Sequence, residues 1–63
     1  MNEYRIERLR DGFIHTMFGG EKKLRKFLTD NYMGDVQKIL RHSVKVEVKL
    51  QGTEEFIEFK TSW

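Results

Sequence analysis

Ser43–Thr61 reads SVKVEVKLQGTEEFIEFKT, and this stretch decides the fold. Val44, Val46, Val48 and Leu50 alternate with Lys45, Glu47, Lys49 and Gln51. A period of two marks a strand with one buried and one wet face. Beyond Gln51-Gly52 a second alternating run carries Ile57 and Phe59 in phase. Glycine supplies the positive φ that a tight hairpin turn needs, so the two runs form a hairpin. With Gln51 and Gly52 as central turn residues, Val48 faces Glu55, Val46 faces Ile57 and Val44 faces Phe59. The other face then sets Lys49 against Glu54 and Lys45 against Glu58, opposite charges that favour this register weakly when exposed. A turn at Gly52-Thr53 would oppose Glu47 to Glu58, so the first register is preferred over it; a longer loop through Thr53 is the alternative. Phe56 falls out of phase, on the charged face beside Glu47. Trp63 falls in phase with Ile57 and Phe59.

Working outward, Tyr4–Phe18 predicts a second hairpin. Asp11-Gly12 is a two-residue turn signal between runs that contain Tyr4, Ile6, Leu9, Phe13, Ile14, Met17 and Phe18. Pairing across it places Tyr4, Ile6, Arg8, Phe13, His15 and Met17 on one face, with His15 opposite Arg8. The other face carries Arg5, Glu7, Leu9, Ile14, Thr16 and Phe18. Both faces are mixed. A bulge, cover on both faces, or one exposed apolar cluster would each account for that.

Gly19-Gly20 ends the extended run. Leu24, Phe27, Leu28 and Tyr32 follow at helical spacing. Val36, Ile39 and Leu40 make a second helical cluster, rotated roughly 100° from the first on a continuous helix. Gly34 as a helix end and Asp35 as the next N-cap explain the offset. The pattern predicts two short helices with a bend near Met33–Asp35, or one kinked helix. The expected fold is α+β: a small antiparallel sheet of two hairpins, in β-β-α-α-β-β order, with the helices on one face. The expected core is Ile6, Met17, Leu24, Phe27, Leu28, Val36, Ile39, Leu40, Val44, Val46, Ile57 and Phe59.

The chain has 63 residues, and its length predicts a single domain spanning 1–63. One core of that size leaves about 3–5 kcal/mol of net stability. There is no cysteine, which excludes disulfides and agrees with a reducing compartment. No apolar run approaches the roughly 20 residues that span a bilayer, and no signal segment follows Met1. The expectation is a cytoplasmic protein with no membrane contact. Net charge is +2, with 12 basic and 10 acidic residues. Glu21–His42 holds six Lys or Arg against three acids, whereas Ser43–Trp63 holds three against four. The middle is therefore basic and the second hairpin slightly acidic.

Catalytic chemistry is not legible. A nucleophile needs an adjacent base, but Ser43 and His42 are neighbours on an extended run and point oppositely. His15 and His42 stand alone and lack zinc-ligand spacing. Glu54 and Glu55 flank a turn and diverge. No cofactor motif is present: Phe18–Lys26 has two glycines but neither the P-loop nor the dinucleotide-binding spacing. The expectation is a protein that is not an enzyme.

Two surfaces remain. Gly19, Gly20, Lys22, Lys23, Arg25, Lys26, Lys38 and Arg41 are the anion or nucleic-acid candidates, with Arg5, Arg8 and Arg10 in support. A helix N-terminus favours anions, and a basic set can track phosphates. The same glycines serve a strand-to-helix turn, and most basic runs are solvated helix faces. Leu9, Ile14, Phe18, Phe56 and Trp63 are the protein-interface candidates, because exposed apolar clusters with polar rims mark contacts. Two sheet edges add a route to strand addition. In size, absence of cysteine and lack of catalytic apparatus, the chain resembles small regulatory proteins of mobile elements, a likeness of class that rests on no motif. The leading expectation is a binding module acting stoichiometrically on a protein partner, as regulator or inhibitor. The alternatives are a small nucleic-acid-binding protein and a structural homodimer subunit.

Overall fold

The alternating runs become strands and the helically spaced runs become helices. The computed structural model describes residues 1–61 and 63. Its elements are β1 (Asn2–Arg8), β2 (Ile14–Gly19), α1 (Glu21–Asn31), α2 (Val36–Lys38), β3 (Val44–Lys49) and β4 (Ile57–Glu58). A wide π-helical turn, Ile39–Ser43, continues α2 into β3. All strand pairs are antiparallel, and the sheet order is β2-β1-β3-β4. The two hairpins are thus joined through their first strands.

The break between the helices has a local cause. The chain turns extended at Tyr32, whose N–H still donates to the Leu28 carbonyl. Gly34 then takes φ +99°, which a residue with a Cβ rarely adopts. Asp35 caps α2, its carboxylate accepting the Lys38 N–H at 3.0 Å. The Val44 N–H reaches back to the Ile39 carbonyl, closing the wide turn with Ile39 and Val44 both buried. Leu24 and Leu28 of α1 join Val36 and Ile39 over Tyr4, Ile6, Met17, Val44, Val46 and Val48 of the sheet. Among the described residues no helix packs on the opposite sheet face.

Both hairpin registers differ from expectation by two residues. In the first, Arg8 donates to the Phe13 carbonyl at 2.7 Å and Gly12 to the Arg8 carbonyl at 2.7 Å. The loop is therefore Leu9–Gly12, His15 lies opposite Ile6, and Tyr4 lies opposite Met17. Asp11 drives this. Its Oδ1 accepts the Phe13 N–H at 3.1 Å, and its two oxygens take the Arg8 guanidinium at 2.9 and 2.7 Å. Arg8 first, then the Phe13 amide, holds the Asp11 carboxyl at about 2, well below the usual carboxylate range.

In the second hairpin Glu47 faces Glu58 and Val48 faces Ile57. Thr53 N–H and Oγ1 both donate to the Leu50 carbonyl, at 2.9 and 2.7 Å, which closes the expected turn on Gln51 and Gly52. The loop then runs on through Phe56 before β4 begins, and that added length shifts the register. The expected Lys49–Glu54 and Lys45–Glu58 facing pairs do not form. Those charges answer to β1 instead. Glu3, Arg5 and Glu7 face Lys49, Glu47 and Lys45 across the β1–β3 ladder. Arg5 Nε and Nη2 bind Glu47 Oε1 at 3.1 and 2.8 Å, and Lys49 lies 3.2 Å from Glu3. With Glu47 neutralised by Arg5, a second carboxylate opposite it costs little. A slip of two preserves the side-chain period, so every residue keeps its face.

The core departs from expectation at its margins. Tyr4 and Val48 are buried and belong to it. Tyr4 sits on a central strand and meets Phe59 edge-on, with ring centroids 5.7 Å apart. Phe27, Leu40 and Phe59 are only partly buried. Ile57 is 50% exposed because β4 is a two-residue edge strand with no neighbour beyond it.

Candidate protein-interaction surface

The uncovered sheet face is built by parity. Odd residues of β1 and β3 and even residues of β2 point to it, because opposed residues share a side. Its middle sets Glu3 opposite Lys49, Arg5 opposite Glu47 and Glu7 opposite Lys45, with ion pairs formed at the first two. These charges are complementary in antiparallel order, and each pair stabilises the face by only about 0.2–1 kcal/mol. On one flank β2 presents Ile14, Thr16 and Phe18. Ile14 is 51% exposed and Phe18 56% exposed. On the other flank Phe56 lies under Arg5, whose guanidinium carbon is 4.3 Å from the ring centroid; Lys49 Nζ lies at 5.7 Å.

The sequence candidates distribute as follows. Leu9 is exposed at the start of the hairpin loop, held level with the sheet by its N–H donating to Ser43 at 3.0 Å. Leu9, Ile14 and Phe18 share the uncovered face. Phe56 shares it too, but β1 and β3 separate it from β2. Trp63 lies elsewhere. It meets Phe59 at 5.6 Å and Arg25 at 5.7 Å, and its carbonyl accepts from the Gln37 amide. Trp63 therefore belongs to the helix-covered side. The pairing on this face that sequence reasoning missed is that of Arg5 with Glu47. Its signal was present as Glu-x-Arg-x-Glu in β1 against Lys-x-Glu-x-Lys in β3, legible only when the two hairpins are paired with each other.

The basic set does not converge to the same degree. Lys22, Lys23, Arg25 and Lys26 are exposed on α1, and Lys38 and Arg41 on the second helical segment. Lys26 is held by Asp30 at 2.8 Å, which raises its pKa. Arg25 stands over Trp63. Gly20 caps α1 without any side-chain bond, and the acidic Glu21 occupies the first turn, where it competes with an incoming anion. Gly19 has a packing reason: a Cβ there would lie 2.7 Å from Lys23 Cδ, at φ +149°.

Concave sites are shallow. The largest cavity described, ≈ 440 Å³, lies open between the second helical segment's Leu40 and the β3–β4 hairpin. A smaller one, ≈ 180 Å³, is lined by Arg8, Phe13, His15, Phe27, Asn31 and Tyr32. There His15 stacks on Phe27 with centroids 4.4 Å apart. Among the described residues no group of three or more His, Asp or Glu side chains is placed to hold a metal. No helix among them is long and apolar enough to cross a membrane. No known protein family, curated protein or solved structure matches the chain.

Proposed function

We propose that this protein is a non-enzymatic binding module that engages a protein partner, one to one, through its uncovered sheet face. One observation carries the reading. A sheet face on which no helix packs among the described residues holds Ile14 and Phe18 half exposed on one flank and Phe56 on the other. Between them Arg5 pairs with Glu47 and Lys49 with Glu3. Desolvating a face whose charges are internally neutralised costs less than burying lone ions. Apolar anchors at its flanks supply the affinity, since a few well-packed side chains carry most of a binding free energy. Occupying a partner's surface is how so small a module would regulate or inhibit it.

The test uses Ile14→Ser and Phe18→Ser. Both side chains are half in water, so each substitution should lower stability by at most about 1 kcal/mol. Capture of a partner from nuclease-treated host lysate should fall more than tenfold with either. Retained capture by both variants, or capture that disappears with nuclease, refutes the reading. The nuclease result would favour the basic helical region and nucleic acid instead.

A further inference from the structure

We infer that the outer edge of β2 pairs antiparallel with β2 of a second copy, on a two-fold axis at Thr16. The observation is independent of the uncovered face, because it concerns the strand's backbone. β2 ends the sheet. In an antiparallel ladder, alternate residues direct both backbone groups to the same neighbour. Arg8 bonds Phe13, so Phe13, His15, Met17 and Gly19 spend their groups on β1. The N–H and C=O of Ile14, Thr16 and Phe18 therefore point away from the sheet.

Natural edges are usually guarded by charge, proline, bulges or shortness. β4, the opposite edge, is short and carries Glu58. β2 has none of these guards. It runs six residues, IHTMFG, without a charged residue or proline, in unbroken register with β1. Nothing on it repels its own copy.

The strand is also self-complementary. With Thr16 on the axis, Ile14 lies opposite the partner's Phe18, Thr16 opposite the partner's Thr16, and Phe18 opposite the partner's Ile14. These are the outward-directed residues, so each pair exchanges two backbone hydrogen bonds. On the uncovered face the pairs are aromatic with β-branched and threonine with threonine, combinations that favour cross-strand pairing. An isologous contact of this kind closes on itself and makes a dimer, not a filament. The product is one continuous sheet, β4-β3-β1-β2 followed by the same strands of the partner subunit in reverse. It gathers two Ile14 and two Phe18 side chains at the middle of the uncovered face.

The purified chain alone tests this. Sedimentation across the micromolar to millimolar range should show the mass rising from 7.6 kDa to twice that value. Amide exchange should slow at Ile14, Thr16 and Phe18 in step with dimerisation. Thr16→Pro removes an N–H that no intrachain bond uses, and Thr16→Lys sets two ammonium groups on the axis. Each should weaken the dimer at least tenfold with an unchanged far-ultraviolet spectrum, while Thr16→Val should retain it. If Thr16→Pro fails to fold, Thr16→Lys, at an exposed position, decides. A wild-type chain that stays at one chain mass throughout overturns the inference. So does a folded Thr16→Lys chain that dimerises like wild type. A monomer that still captures a partner through Ile14 and Phe18 overturns it too and leaves the proposed function standing.

Discussion

Arg5→Ala isolates what the joined hairpins do. Arg5 gives two hydrogen bonds to Glu47 and covers the Phe56 ring. The Arg5 and Glu47 side chains are 39% and 29% exposed, so solvent screening holds the ion pair to about 0.5–1 kcal/mol. The stacked guanidinium contributes about 0.5–1 kcal/mol more. Removing it also leaves Glu47 and Glu58 facing each other. They form the closer, non-hydrogen-bonded kind of pair, since Val46 and Phe59 form the bonded one. That repulsion adds a few tenths of a kcal/mol. The sum is about 1–2 kcal/mol, a drop of roughly 5–15 °C in melting temperature for a domain of this size. The assay is a reversible thermal melt on a double-mutant cycle with Glu58→Gln. Glu58→Gln should change little by itself and should recover part of the loss in the Arg5→Ala background. At 1 M salt, where the screening length is about 3 Å, the loss should shrink toward the stacking contribution. Additive effects of the two substitutions, or a melt lowered by less than about 2 °C, would refute both the register and the ladder.

Two further outcomes follow from the same geometry. Val46 is 5% exposed and Ile57 50% exposed, although both point to the helix side. Val46→Asp should abolish the cooperative melt by burying an unpaired carboxylate, whereas Ile57→Asp should keep a transition lowered by about 1–2 kcal/mol; equal damage by circular dichroism would contradict the edge position of β4. The Asp11 carboxyl and the Phe13 amide that donates to it should titrate together by NMR with a midpoint of about 2. Because the folded pKa is depressed, the stability from this contact is complete above the usual carboxylate range and is lost as pH falls through about 2. Arg8→Ala should raise the midpoint; one already at the ordinary value, about 3.9, would show that the loop clamp does not form.

Much of the architecture was legible because it is local. Period-two runs in Val44–Leu50 and Tyr4–Glu7, helical spacing in Leu24–Leu28, and the Gly34-Asp35 break each reflect a preference that a few neighbouring residues satisfy alone. The faces were legible for the same reason, and they survived two wrong registers. Both registers missed by two, for different reasons. Asp11 acts through its side chain, which bonds across the first loop and lengthens it. The second hairpin makes the expected Gln51-Gly52 turn and then runs on through Phe56 before pairing resumes. Of the candidate surface, Ile14 and Phe18 were readable from parity, and Trp63 lies on the side that its phase with Ile57 and Phe59 marks, the helix-covered one, where it meets Phe59, Arg25 and Gln37.

By itself the sequence determined the elements, their order and, in the second hairpin, which side of each strand is wet. Those properties follow from side-chain period and backbone propensity, and they need no knowledge of what lies alongside. Only the tertiary structure decided that β1 and β3 are neighbours. That contact pairs Glu3, Arg5 and Glu7 with Lys49, Glu47 and Lys45, permits Glu47 to face Glu58, and buries Tyr4. It also leaves β2 at the edge, with its unguarded backbone and its apolar side chains facing water. Strand order is set by long-range burial and charge pairing summed over the whole sheet, and no window along the chain contains that sum.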